Sequence, residues 1–162
     1  DRNKIENAKK QIVHLFGNER VEQKDFRSGA LVSYPTWFDK VGFEVINPHS
    51  RKTRAGTTPI YYEVVPSGRD GRLRLLYAPV PGETESGQVK PADFIDSLID
   101  AITALLETYG ISAKRTAGWG TARIKAWTGF NITGSFPSAP SNNGEEFRQE
   151  MKNRIVQKGG GQ

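Results

Sequence analysis

Apolar positions recur at helical spacing in two stretches of this chain. In residues 1–16, Ile5, Ala8, Ile12, Leu15 and Phe16 share one face, with Arg2, Lys4, Glu6, Lys9, Lys10 and Gln11 on the other, and Gly17-Asn18 supplies the stop. Residues 91–109 carry the stronger signal. Phe94, Ile95, Leu98, Ile99, Ile102, Leu105, Leu106 and Tyr109 form a broad apolar stripe, while Asp93, Asp96, Asp100 and Glu107 are expected to face outward and away from any polyanion. Pro91 suits the first turn of that helix and Gly110 its C-terminal cap.

Between the helices the period changes to two. Residues 29–34, closed by Pro35, and 41–46, closed by Asn47-Pro48, read as strands, as does the β-branched and aromatic run 60–65. In residues 72–79, Leu73, Leu75 and Tyr77 alternate with Arg72 and Arg74, and Ser67 to Gly71 predicts a hairpin joining this strand to 60–65. Residues 121–127 alternate again, with Ala122, Ile124 and Ala126 against Arg123, Lys125 and Trp127. Residues 18–28 and 80–90 read as charged or Pro/Gly-rich turns, and 128–144 as poor in core formers. Residues 145–156 read as a short polar helix and 158–162 as a flexible tail or linker.

The order helix, strands, helix, strand becomes a ferredoxin-like (RRM-like) α+β plan, an antiparallel sheet with two helices on one face, if a first strand precedes residue 1. That strand is missing from this chain, which begins at Asp1 inside a helical pattern, so a piece of a longer polypeptide is expected. Such a sheet leaves its other face open to RNA.

Charge sharpens this picture. The 162 residues carry a net +5 and a pI near 9.5, a modest excess, but its placement is uneven. Residues 47–59 hold His49, Arg51, Lys52 and Arg54 with no acid, and residues 110–127 hold Lys114, Arg115, Arg123 and Lys125 with no acid. Segregated cations are what a polyanion-binding surface requires. The absence of cysteine excludes disulfides, zinc–thiolate sites and iron–sulfur clusters, and His14 and His49 lie far apart, so no metal or cofactor is expected. No apolar run approaches the roughly 20 residues of a membrane span, which makes the cytoplasm the default.

Two loops carry candidate chemistry. Lys114-Arg115-Thr116-Ala117-Gly118-Trp119-Gly120 lies between helix and strand, where glycines permit positive φ and let backbone approach a phosphate flanked by cations. It departs from a P-loop in pattern and in chain order, and an ordinary helix-to-strand connection fits the spacing equally well. The 47–59 loop, bracketed by Pro48 and Pro59, reads either as a solvated loop or as an arm whose Arg51 and Arg54 reach phosphates. Tyr34, Trp37, Phe38, Tyr61, Tyr62, Trp119 and Trp127 are candidates for base stacking; strand aromatics belong mostly to cores, which leaves Trp119 and Trp127, beside cations. An acid–base site assembled from Asp25, Asp39, His14, His49 or Lys40 has no spacing that selects it.

Three segments in order resemble the RAMP superfamily, the RNA-binding backbone proteins of type III CRISPR effector complexes. Leu15-Phe16-Gly17 followed by Gly29-Ala30-Leu31 resembles the family's Leu-Phe-Gly signature. Val45-Ile46-Asn47 through Glu63-Val64-Val65-Pro66-Ser67-Gly68 resembles its Arg-x-Thr loop and Glu-x-Val-Pro-x-Gly run. Tyr109-Gly110 through Gly120 resembles its glycine-rich Gly-Lys-Thr-x-x-Gly-Tyr-Gly loop, with Arg115 intervening and Trp119 in place of the tyrosine. The match covers most of residues 5–127.

The resemblance implies a ferredoxin-like domain over 1–134 with a thumb at 47–59, followed by a Gly/Ser/Pro-rich segment, short helix and tail over 135–162. It implies contacts to guide and target RNA from His49, Arg51, Lys52, Arg54, Lys114, Arg115, Gly118, Trp119, Gly120, Arg123 and Lys125, and other effector subunits as partners. The family's catalytic aspartate follows its first strand and is not visible here, so it is not transferred to Asp25 or Asp39. A target-RNA-cleaving ribonuclease subunit and a protein-packing subunit with little RNA contact are the alternatives.

Overall fold

A computed structural model describes residues 2–18, 26–79, 89–115, 118–131 and 134–159. The expected turns at 19–25 and 80–88 and the end of the tail, 160–162, lie outside the described residues. The fold is α+β: among the described residues there are three helices and small antiparallel sheets. The order is α1 (Arg2–Phe16), β1 (Leu31–Tyr34), β2 (Gly42–Ile46), β3 (Ile60–Val64), β4 (Arg74–Tyr77), α2 (Pro91–Thr103) continued by a π-helical turn (Ala104–Tyr109), β5 (Trp127–Asn131), β6 (Gly134–Ser141) and α3 (Gly144–Gly159). The strands form three two-stranded ladders, β1–β4, β2–β3 and β5–β6, rather than one continuous sheet. The chain divides into two compact units, Asp1–Ile12 with Gly82–Gln162, and Val13–Pro81.

The unit formed by Val13–Pro81 holds two ladders. The end of α1 lies against the segment entering β1: the Ala30 N–H donates to the His14 carbonyl (2.9 Å), and Leu15 and Ala30 are buried. Gly29 permits this contact, since a Cβ there would sit 2.6 Å from the Leu15 carbonyl oxygen. Here the Leu15-Phe16-Gly17 and Gly29-Ala30 segments meet backbone to backbone. The apolar stripe of α1 is otherwise uncovered. Ile5, Ile12 and Phe16 are exposed, and Leu15 is the one buried residue of the helix among those described. The expected 60–65 to 72–79 hairpin does not form. β3 pairs back on β2 and β4 pairs with β1, and Pro66, which has no N–H to donate, follows β3.

In the other unit, α2 begins with a reciprocal cap. The Lys90 N–H donates to the Asp93 carboxylate (2.7 Å) and the Asp93 N–H donates to the Lys90 carbonyl (2.9 Å), with Pro91 in the first turn. Residues 128–141, which read as poor in core formers, form with Trp127 the β5–β6 hairpin. Its prolines, Pro137 and Pro140, fall where the register shifts between Gly129–Phe136 and Trp127–Ser141, so the ladder needs no N–H from them. α3 is longer than its polar composition predicts and is capped by Asn143, whose side-chain oxygen accepts the N–H groups of Glu145 (3.0 Å) and Glu146 (3.3 Å).

α3 docks on α2. Phe147, Ile95 and Ile99 are buried together, with Trp127, Met151 and Ile155 packed around them. The Trp127 and Phe147 rings stack at 5.3 Å and 19°. Trp127 is therefore a core residue and not the base-stacking candidate that its neighbours Arg123 and Lys125 made it. The acidic face of α2 is likewise in use: Asp96 takes Lys152 at 2.7 Å, and Asp100 takes Arg148.

Truncating Phe147→Ala should cost about 3–5 kcal/mol of unfolding free energy, read from urea denaturation, because the cavity opens beneath Trp127. A second prediction concerns Tyr77, whose hydroxyl pairs with His14 Nε2 at 2.9 Å. Burial pushes the Tyr77 phenol above its usual 10.0, so the folded chain keeps this proton after the unfolded chain has lost it. Its contribution is whole below pH 10 and is lost as pH rises through the folded-state value. The urea midpoint should therefore fall above pH 10, and less steeply in Tyr77→Phe.

Candidate nucleic-acid interface

The 47–59 segment is an ordered arm. The β2–β3 ladder runs from Gly42↔Val64 to Ile46↔Ile60, and a further bridge pairs His49 with Gly56. Beyond the ladder, the Thr57 N–H (2.7 Å) and hydroxyl (3.0 Å) both donate to the Pro48 carbonyl. The Ser50 N–H donates to Ala55 (3.0 Å) and the Arg54 N–H to Ser50 (2.8 Å). The tip turns through residues 51–53, and Arg54 adopts the left-handed region at φ 56°. For a non-glycine residue that conformation costs about 1–2 kcal/mol. From Gly42 to the tip the arm reaches roughly 30 Å. His49, Arg51, Lys52 and Arg54 are all exposed, and among the described residues the three cations make no ion pair.

The glycine-rich segment starts from the widened end of α2. In the π-helical turn the Gly110 N–H donates to the Leu105 carbonyl (2.7 Å), five residues back. The loop then closes on itself. The Ile111 N–H donates to the Gly120 carbonyl (2.9 Å), and the Gly118 N–H to the Arg115 carbonyl (2.9 Å). Gly110, Gly118 and Gly120 all have positive φ, but they do different jobs. A Cβ on Gly120 would meet the Ile111 carbonyl oxygen at 2.6 Å, so Gly120 is needed to close the neck. A Cβ on Gly118 would meet nothing within 4 Å, which makes Gly118 the point where the loop backbone is open to a ligand.

Lys114 and Trp119 are brought together, with Nζ 5.3 Å from the ring centroid, and both are half-buried. One face of Trp119 is thus covered by a cation. Arg115, Arg123 and Lys125 are exposed, and among the described residues Arg115 and Arg123 make no ion pair.

The expected strand 121–127 forms only from Trp127 onward. Its N–H groups go to the end of α2 instead: Ala122 donates to the Leu106 carbonyl (2.8 Å) and Ile124 to the Glu107 carboxylate (3.1 Å). Glu107, Thr121, Ala122 and Arg123 line one open depression. Glu107 is exposed, as expected of the outer face, and its carboxylate also accepts the Ile124 N–H, a contact that periodicity of 3.6 cannot anticipate.

No family model, curated protein or solved structure matches this chain. Among the described residues no helix is long and apolar enough to cross a membrane, and no three His, Asp or Glu side chains gather as a metal site.

Replacing Glu107→Gln keeps the acceptor for Ile124 and removes the carboxylate that lines the same depression as Arg123. On the expectation that the loop's cations meet RNA phosphates, affinity for single-stranded RNA, measured by filter binding at fixed salt, should rise severalfold with an unchanged urea midpoint.

Proposed function

We propose that this chain is a guide-RNA-binding backbone module of the RAMP type in a type III CRISPR effector complex, holding RNA by its phosphates without reading sequence. One observation carries the reading. The described parts of the two segments that resemble the family's RNA-contacting loops are held by backbone hydrogen bonds, and both present cations that make no ion pair among the described residues: Arg51, Lys52 and Arg54 on the arm, and Arg115 at the glycine-rich loop, where Arg123 shares a depression with Glu107. A phosphate backbone supplies the charge such loops lack, and the exposed Gly118 leaves room for close approach.

The topology supports the same reading. β1 pairs with β4 across an inserted antiparallel arm, β2–β3, which is the arrangement a thumb on a ferredoxin-like sheet requires. In this reading β1 and β4 are neighbouring strands of that sheet, guide and target RNA are the ligands, other effector subunits are the protein partners, and the setting is the cytoplasm.

Native purification followed by sequencing of bound nucleic acid is the direct test. Discrete short RNAs sharing a repeat-derived end are expected; protein free of RNA at low salt would reject the proposal. In a binding assay on single-stranded RNA, Lys114→Ala with Arg115→Ala should reduce the slope of log affinity against log salt by about 1.4, from ~0.7 per contact. Unchanged slope and affinity would remove the glycine-rich loop from the interface.

A further inference from the structure

We infer that the outer face of the β1–β4 ladder, with the turn that follows β1, is a second RNA contact: a stacking platform for unpaired bases formed by Tyr34 and Trp37 and flanked by Arg72 and Arg74. This rests on the RNA-binding reading above.

The register divides the ladder into two faces. Val32 stands opposite Leu76 and Tyr34 opposite Arg74, so these four side chains share one face; Leu31, Tyr77, Ser33 and Leu75 share the other. The second face is turned toward α1, where the Tyr77 hydroxyl meets His14 and the two rings lie 5.8 Å apart. The first face is partly exposed: Val32 is 43%, Leu76 46% and Tyr34 47% exposed.

Trp37 lies three residues beyond Tyr34, in the segment that follows β1. At 80% exposure it is the most exposed large hydrophobic side chain among those described. Its neighbours are held in place. The Thr36 hydroxyl donates to the Arg72 carbonyl (3.2 Å), and Asp39 pairs with Arg69 (3.4 Å). Phe38 lies directly over Gly71, where a Cβ would be 2.5 Å from its ring.

Charge selects the occupant. Arg72 and Arg74 are exposed and make no ion pair among the described residues, and no carboxylate lies among the outer-face side chains of the ladder. Nearby, Asp39 is committed to Arg69 and Asp70 is also engaged. Aromatic rings beside guanidinium groups suit bases joined by phosphates, and any base offers a ring face. The β2–β3 arm supplies the contrast. Phe43 and Tyr61 are exposed there at 72% and 73%, but Glu63 stands opposite Phe43 on the same face and would repel a phosphate.

The test compares a fluorescein-labelled single-stranded 12-mer of oligouridine with a blunt RNA duplex of the same length, across a salt series. Trp37→Ala and Tyr34→Leu should each weaken single-strand binding about tenfold, leaving duplex affinity and the salt slope unchanged. Trp37→Phe should retain most of the affinity. Arg72→Ala with Arg74→Ala should lower the slope by about 1.4. Ring variants that bind the single strand as wild type does, with the slope intact, would overturn this inference, give the face to a protein partner and leave the phosphate reading standing. Equal weakening on the duplex would also overturn stacking. Wild-type protein that binds neither RNA would overturn both readings.

Discussion

Helix α2 has two faces that water cannot satisfy together, and α3 answers both. Its apolar stripe needs a hydrophobic partner, which Phe147, Met151 and Ile155 supply. Its carboxylates at Asp96 and Asp100 would repel each other along the helix, and Arg148 and Lys152 stand against them. The Arg148 guanidinium is held above its usual pKa, chiefly by its hydrogen bond to Asp100 and against desolvation, with the charges of Asp100, Glu145 and Asp96 adding to the effect. By holding α2, this contact also sets where its C-terminal carbonyls point. Those carbonyls position the glycine-rich loop and the segment that follows it.

Ion pairing divides the cations into two groups. Arg148, Lys152 and Arg154 on α3 answer acids on α2 or one turn away on their own helix, while the arm and the glycine-rich loop show cations without such partners. Exposed pairs are worth roughly 0–1 kcal/mol each, so cations that make no ion pair among the described residues cost the fold little. They leave a positive field over the two loops. The strain accepted at Arg54 and the glycine requirement at Gly120 belong to the same loops, where backbone shape is specified more tightly than stability alone demands.

Much of the local structure is legible in the chain. The helices at 2–16 and 91–103 follow from apolar spacing and from Pro91 in the first turn of the second. The strands β1 to β4 follow from alternation and from the prolines that close them. The cation-rich loops follow from simple charge placement. These are short-range properties, governed by steric preference and by which side chains share a face.

Tertiary contacts decided the rest. Sequence spacing cannot say which of two compatible strands a third will join, and β3 returned to β2 because the arm closes with its own hydrogen bonds. Nor can it say which aromatic finds a partner. Trp127 lies beside two cations yet stacks on Phe147, whereas Tyr34 and Trp37, in a strand and a turn that look fit for a core, are left in solvent. The chain alone determined periodicity, caps and charge placement, because each depends on residues a few positions apart. Burial, strand partnership and the contact of Glu107 with Ile124 depend on groups distant in sequence that meet only once the backbone has folded.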